Sequence, residues 1–195
     1  MPYTADHKSK THAKIVEAAR TLFNRYGFES VTIEMIMKAA GLTRGGFYNH
    51  FESKERLYSE AVSSFLMGRG AEWREAAGVD PERPGVIMAR RMIASYLSSE
   101  HLGDLEGQCP MIALSSDVAR SSPEVQSSYE ALLRSMVGLF EGSLQGRRRR
   151  TREKALSLAA LCVGGMILAR TLPSSELASE VRAAAQAAAL RITRL

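Results

Sequence analysis

A short stretch of the chain gathers side chains that hydrogen-bond or carry positive charge: Thr43, Arg44, Tyr48, Asn49, His50 and Lys54. They alternate with Leu42, Phe47 and Phe51, whose spacing is that of anchors against a small core. A short helix held by apolar anchors, with its donors turned outward, suits a nucleic-acid groove. Arg44 can make a bidentate contact to guanine, worth about 1–3 kcal/mol of discrimination. Tyr48, His50 and Lys54 can hold phosphates without reading sequence. Gly45 and Gly46 let the backbone approach DNA closely, at some loss of helix propensity. Thr32, at the start of the preceding helix, completes the set of DNA-facing candidates.

Elsewhere the chemistry is sparser. Cys109 follows Gly107-Gln108 and precedes Pro110, so it stands at a helix start, where a thiol pKa is lowered. A redox- or electrophile-sensing role for Cys109 therefore stays open beside that of a small inert core residue. Cys162 lies in the most apolar segment and reads as packing, and His101 reads as a loop histidine. Neither cysteine has a ligand-spaced Cys or His, so no metal or cofactor is expected. No paired carboxylates or nucleophile–base motif supports an enzyme, although a helical enzyme or an interaction module without DNA binding remains a reading of another class. Phe65, Trp73, Met88, Met92, Tyr96, Cys109 and Met111 can line an adaptable apolar cavity for a small molecule.

The elements that must position these groups are helical. Ile15, Ala18, Ala19, Leu22, Phe23 and Tyr26 give an amphipathic helix from about residue 10, after a flexible polar arm 1–9. Gly27 ends it. Thr32 caps a second helix, Ile33 to Ala40, and Gly41 stops that one. Thr43 caps a third, Arg44 to His50. Ser53 caps a fourth that runs towards Trp73. Further helices are expected at 86–98, at 110–119, from 123, at 151–172 and from 175, with Gly146 and Arg147 to Arg150 as a connector and 101–108 as a loop. The result is an all-α chain of about nine helices: a DNA-binding head 1–52 and a helical body 53–195 for ligand binding and dimerisation.

Two short helices joined by a glycine turn and resting on a longer first helix form a helix-turn-helix pattern. With Ala39-Ala40-Gly41, Phe47-Tyr48-Asn49-His50-Phe51 and Ser53-Lys54-Glu55 at these spacings, the chain resembles the TetR family of bacterial transcriptional repressors. The resemblance implies a homodimer, one DNA-reading head per subunit, and a body whose small-molecule effector changes the distance between the heads. It assigns phosphate contacts to Tyr48 and His50, the phosphate-facing start of the fourth helix to Lys54, and the exposed start of the recognition helix to Thr43 and Arg44. Two positions depart from the family pattern: Gly46, where a base-contacting side chain is common, and Met37, where a small residue is usual.

The eighth helix is apolar nearly all round and needs a second covering surface. Ala159, Ala160, Val163, Gly164 and Ile167, with Leu177, Val181, Ala184, Ala185 and Ala188 of the ninth, fit a four-helix seam in a twofold dimer. Its apolar run, 155–169, is shorter than the roughly 20 residues a membrane span needs, and no membrane partner is expected. The net charge of +5 is spread along the chain, so the DNA reading rests on placement rather than bulk charge. Two well-separated cysteines and a polar N-terminus fit a cytoplasmic protein. The expected partners are a near-palindromic double-stranded DNA operator, a small-molecule effector and a second copy of the chain.

Overall fold

A computed structural model describes residues 5–194, whose regular structure is helical throughout, with no strand among the described residues. The elements are α1 (Ala5–Tyr26), α2 (Ile33–Ala39), a 3-10 helix (Arg44–Asn49), α3 (Lys54–Ser64), α4 (Arg69–Ala76), α5 (Val86–Tyr96), α6 (Ser99–Gly103), α7 (Pro110–Ala113), α8 (Ser115–Ala119), α9 (Pro123–Ser143), α10 (Arg148–Thr171) and α11 (Ser175–Ile192). The head is α1, α2 and the 3-10 helix, closed by α3. Its core is Ile15, Ala19, Phe23, Val31, Ile36, Met37, Phe47 and Phe51, all buried. Each aromatic anchor stabilises the head by about 1.5–3 kcal/mol through burial. Gly41 ends α2 at φ +69, a left-handed turn that a side chain would strain. The caps on Thr32 and Ser53 form as expected, at 3.2 Å to Met35 N and 3.0 Å to Arg56 N.

Several boundaries differ from the sequence expectation, each for a local reason. Most of the expected arm is helix: residues 1–4 lie outside the described residues, and α1 already runs from Ala5. The fourth helix is two helices. At the break, a Cβ on Gly70 would sit 2.6 Å from the Phe65 carbonyl oxygen, so only glycine permits this close approach. The expected loop at 101 contains α6, whose start Ser98 caps at 3.1 Å to His101 N. The expected helix 110–119 breaks at Leu114, where the Ser115 hydroxyl takes the Met111 carbonyl at 2.6 Å in competition with the helix ladder. Arg148 to Arg150 are the first turn of α10 and not a connector.

α10 is long and apolar enough to cross a bilayer by length and composition alone. Here it is the central helix of the body, packed against α5, α6, α7, α9 and α11. Gly165 brings α11 close, since a Cβ there would lie 2.8 Å from the Ala185 side chain. The opposite side of the α10–α11 pair is outward and apolar, with Leu156 and Leu168 of α10 and Leu177 of α11 exposed.

Candidate nucleic-acid interface and cavity

The structure brings the predicted DNA-facing side chains onto one surface. Phe47 is fully buried, while Tyr48 beside it is 68% exposed and stands edge-on to the Phe47 ring at 5.2 Å. Thr32, Thr43, Arg44, Gly45 and Asn49 are exposed, and Gly46, His50 and Lys54 are half-buried. Thr43 occupies the cap position but makes no capping bond, so its hydroxyl is available to an outside partner. Thr32 instead uses its oxygen as the α2 cap.

Two of these side chains have neighbours that bear on their chemistry. His50 is held below the ordinary histidine pKa by burial and by the neighbouring His12 and Lys8, and its Nδ1 is buried without a partner among the described residues. Lys54 seats its Nζ 4.1 Å above the Phe28 ring, a cation–π contact, so the start of α3 presents backbone N–H groups more than a free ammonium. Lys10 pairs with Asp6 at 2.8 Å on the surface of α1. The two departures from the family pattern are linked: the Met37 methyl group lies 3.6 Å from where a Gly46 Cβ would stand.

One side of this surface comes from α1. His7, Lys8 and Thr11 of α1 border a crevice whose other wall is Leu42, Thr43, Gly46, Asn49 and His50. His12 stacks on Phe51 at 4.4 Å and binds Glu60 at 2.5 Å. That partner is distant in sequence, which no local spacing reveals.

In the body, Phe65, Trp73, Met92, Tyr96, Cys109 and Met111 line one cavity, as expected, joined by Arg74, His101, Leu132 and Met136 among others. Its enclosed space is small, about 40 Å³. Met88 is the exception, buried elsewhere near the Ser143 hydroxyl. His101 is no loop histidine: it is buried, its Nδ1–H donates to the Tyr96 carbonyl at 2.8 Å, and its Nε2 accepts from Cys109 N at 3.4 Å. Burial lowers its pKa and keeps it neutral. Cys109 is 3% exposed, and burial pushes its thiol up to about 11, outweighing any effect of the four-residue helix it precedes. A nucleophilic thiolate at neutral pH is therefore disfavoured, and with it the thiol-sensing alternative.

The wall containing His101 and Cys109 is gripped by the head. The fully buried Gln108 donates to the His101 and Leu102 carbonyls at 3.1 and 2.7 Å and receives a bond from Arg170. Asn24 of α1 donates to the Glu106 and Gln108 carbonyls at 3.1 and 2.8 Å, and Arg20 donates to the Glu106 carbonyl at 2.8 Å. Asp117 of α8 accepts from Phe28 N at 2.9 Å just beyond α1. On the other side, α3 leans on α9 through Ser59–Ser128 at 2.8 Å and the Arg56–Glu124 ion pair.

Of the dimerisation candidates, Ala160, Leu177 and Ala184 are exposed, and Val163, Gly164, Ile167, Val181 and Ala188 are half-buried. Ala159 and Ala185 instead lie inside the subunit, because α10 and α11 meet each other on that side.

Residues 15–61 match the family described as bacterial regulatory proteins, tetR family. The chain is similar to the HTH-type transcriptional regulator YfiR of Bacillus subtilis, 40% identical over 63 residues, which are 32% of this chain and 31% of that protein. It is similar to the repressor AcnR of Corynebacterium efficiens, 34% identical over 106 residues, 50% of this chain and 56% of AcnR. The matched stretch thus spans only about a third of YfiR and about half of AcnR. The regulator LmrA of Bacillus subtilis aligns over 169 residues at 25% identity, 83% of this chain and 87% of LmrA. In fold, the chain resembles the reduced form of Escherichia coli NemR, with a TM-score of 0.72 at 18% identity over 93% of this chain and 96% of that one. A TetR transcriptional regulator from Chloroflexus aurantiacus gives 0.69 at 22% identity, covering 95% of both chains.

Proposed function

We propose that this chain, a member of the bacterial TetR family by its helix-turn-helix at residues 15–61, is a cytoplasmic, homodimeric transcriptional repressor. It holds a near-palindromic double-stranded operator and releases it when a small molecule occupies the body cavity. The observation that carries this reading is the exposed row Thr43, Arg44, Tyr48 and Asn49, set on the buried anchors Phe47 and Phe51 beside the α3 N-terminus. Arg44 is the base reader, Tyr48 and the α3 start are the phosphate contacts, and Lys8 of α1 extends the positive rim. The outward apolar face of α10 and α11 supplies the twofold seam through Ala160, Leu177 and Ala184. Twofold pairing sets the two recognition helices about 34–36 Å apart, one turn of B-DNA.

The head occupies residues up to about 52 and the body the remainder, with α3 shared between them. Cavity and head meet along two routes. Phe65, at the end of α3, is a cavity wall, and the wall formed by His101 and Cys109 continues through Gln108 to Asn24 and Arg20 of α1. A ligand that moves either wall changes how the heads are held. Its effect is bounded by its differential affinity for the two arrangements.

The test begins with selection of operator duplexes from a random pool by the purified full-length protein. Arg44→Ala should bind the selected duplex more weakly and lose preference at one base pair per half-site, by about 1–3 kcal/mol. Tyr48→Ala should weaken all sequences alike. Unchanged affinity and preference in Arg44→Ala would remove the base-reading role, and failure to enrich any sequence would remove the DNA reading itself.

A further inference from the structure

The body cavity is apolar apart from a few groups, and their state points to what it takes. Trp73, Met92, Met111 and Met136 supply adaptable apolar wall. Arg74 lines the same cavity and has no carboxylate partner among the described residues. Its hydrogen bond is from Nη2 to the Leu66 carbonyl at 2.8 Å, which leaves most of its donors unused. Burial without a nearby acid lowers its pKa. Its neighbour Arg69, by contrast, is paired with Asp104 at 2.7 Å and Glu72 at 3.5 Å. The Tyr96 hydroxyl is buried in the same wall without an oxygen or nitrogen partner, beside the weakly bonding Cys109 thiol. His101 offers nothing to a ligand, because both ring nitrogens are already engaged by backbone groups.

We infer that the cavity takes a small amphipathic carboxylic acid: the carboxylate on Arg74, one ligand oxygen accepting from the Tyr96 hydroxyl, and an aromatic or medium-length acyl body against Trp73 and the methionines. This rests on the reading of the protein as an effector-released repressor. One guanidinium neutralises one negative charge, which favours a monoanion over a phosphate dianion. The enclosed space, about 40 Å³, is well below that of ordinary ligand pockets, so a ligand enters only as the methionine side chains move aside, which favours a compact body over a long chain. A ligand oxygen would also give the buried Tyr96 hydroxyl an acceptor.

Trp73 is the only tryptophan in the chain, so its fluorescence reports the cavity directly. The full-length protein would be titrated with octanoate, 4-phenylbutyrate and 2-naphthoate, each beside its primary amide, using Trp73 emission and calorimetry. At least one acid should bind saturably and about tenfold or more tighter than its amide. Arg74→Gln, checked for folding by circular dichroism, should bring the acid-to-amide ratio to about one while the amide still binds, and Tyr96→Phe should weaken the acid severalfold. Equal binding of acids and amides, no saturable response to any acid, or a preference that survives in Arg74→Gln overturns the inference. Operator release, followed with the same compounds, separates the two levels. Release by amides alone defeats the acid inference and leaves the effector-released repressor standing, whereas a protein that binds no operator defeats that broader reading.

Discussion

Replacing Asn24 by alanine tests whether the head is held to the cavity wall by the contacts described. Asn24 is 1% exposed and its amide donates to two carbonyls, those of Glu106 and Gln108. In Asn24→Ala the Glu106 carbonyl keeps Arg20 at 2.8 Å, but the Gln108 carbonyl loses its side-chain donor. A buried carbonyl left without a partner costs about 1–3 kcal/mol. The Asn24 Oδ1 is itself buried without a partner, and its removal returns about 1 kcal/mol. The net loss of stability should be at most about 2 kcal/mol, centred on about 1 kcal/mol. With a urea m-value of about 2–3 kcal/mol/M, the midpoint should fall by about 0.5 M at unchanged slope. Urea unfolding of wild type and variant at one protein concentration, followed by circular dichroism, measures it; fixed concentration matters because dimerisation contributes to apparent stability. Amide hydrogen exchange should accelerate at residues 106–109. A loss below about 0.3 kcal/mol with unaltered exchange there would refute the clamp and the route from cavity to α1.

Other outcomes follow from the same structure. His101 has a folded pKa below its ordinary 6.5, so the unfolded chain binds the extra proton and stability falls as pH drops below about 6.5, by at most about 1.4 kcal/mol per pH unit for this group. His101→Gln should flatten that acid-side slope in melting curves between pH 7.5 and 5, and parallel curves would contradict the assignment. With the Cys109 thiol at about 11, roughly one molecule in ten thousand carries a thiolate at pH 7. Iodoacetamide should therefore label Cys109 and Cys162 readily only in denaturant, and labelling of the native protein within minutes would overturn their burial. Gly46→Ala places a Cβ at 3.6 Å from Met37, an ordinary contact, so the variant should fold with unchanged or up to about 1 kcal/mol greater stability. A melting temperature several degrees lower would show that the backbone there needs glycine.

Much of the head was legible because its determinants are local. The Ile15 to Tyr26 period, the caps Thr32 and Ser53, the stop at Gly41 and the inward turn of Phe47 and Phe51 all act within a few residues along the chain. Helical spacing alone decides which way such side chains point. The all-α class and the outward position of Arg44 and Tyr48 followed from the same logic. Most of the proposed cavity lining was also recovered, since methionine and aromatic residues on the inner faces of separate helices converge in the body core.

The contacts that define the body's behaviour are decided by how the helices pack, which helical spacing alone does not reveal. The break between α3 and α4 depends on Gly70 meeting the Phe65 carbonyl, and His101 becomes a buried, neutral wall residue only because Tyr96 and Cys109 surround it. A helix-start position alone argues for a reactive Cys109, whereas the packed fold buries it and raises its pKa, because desolvation outweighs a weak helix end. Ala159 and Ala185 read as seam residues until α10 and α11 close on each other. The sequence by itself determined a helix-turn-helix head with Arg44 and Tyr48 outward, because helix faces and caps are set by neighbours in the chain. Only the tertiary structure decided that Arg74 lacks an acid partner among the described residues, that the buried Tyr96 hydroxyl finds no oxygen or nitrogen partner among them, and that Asn24 ties α1 to the cavity wall, because burial and pairing are settled by how the helices pack.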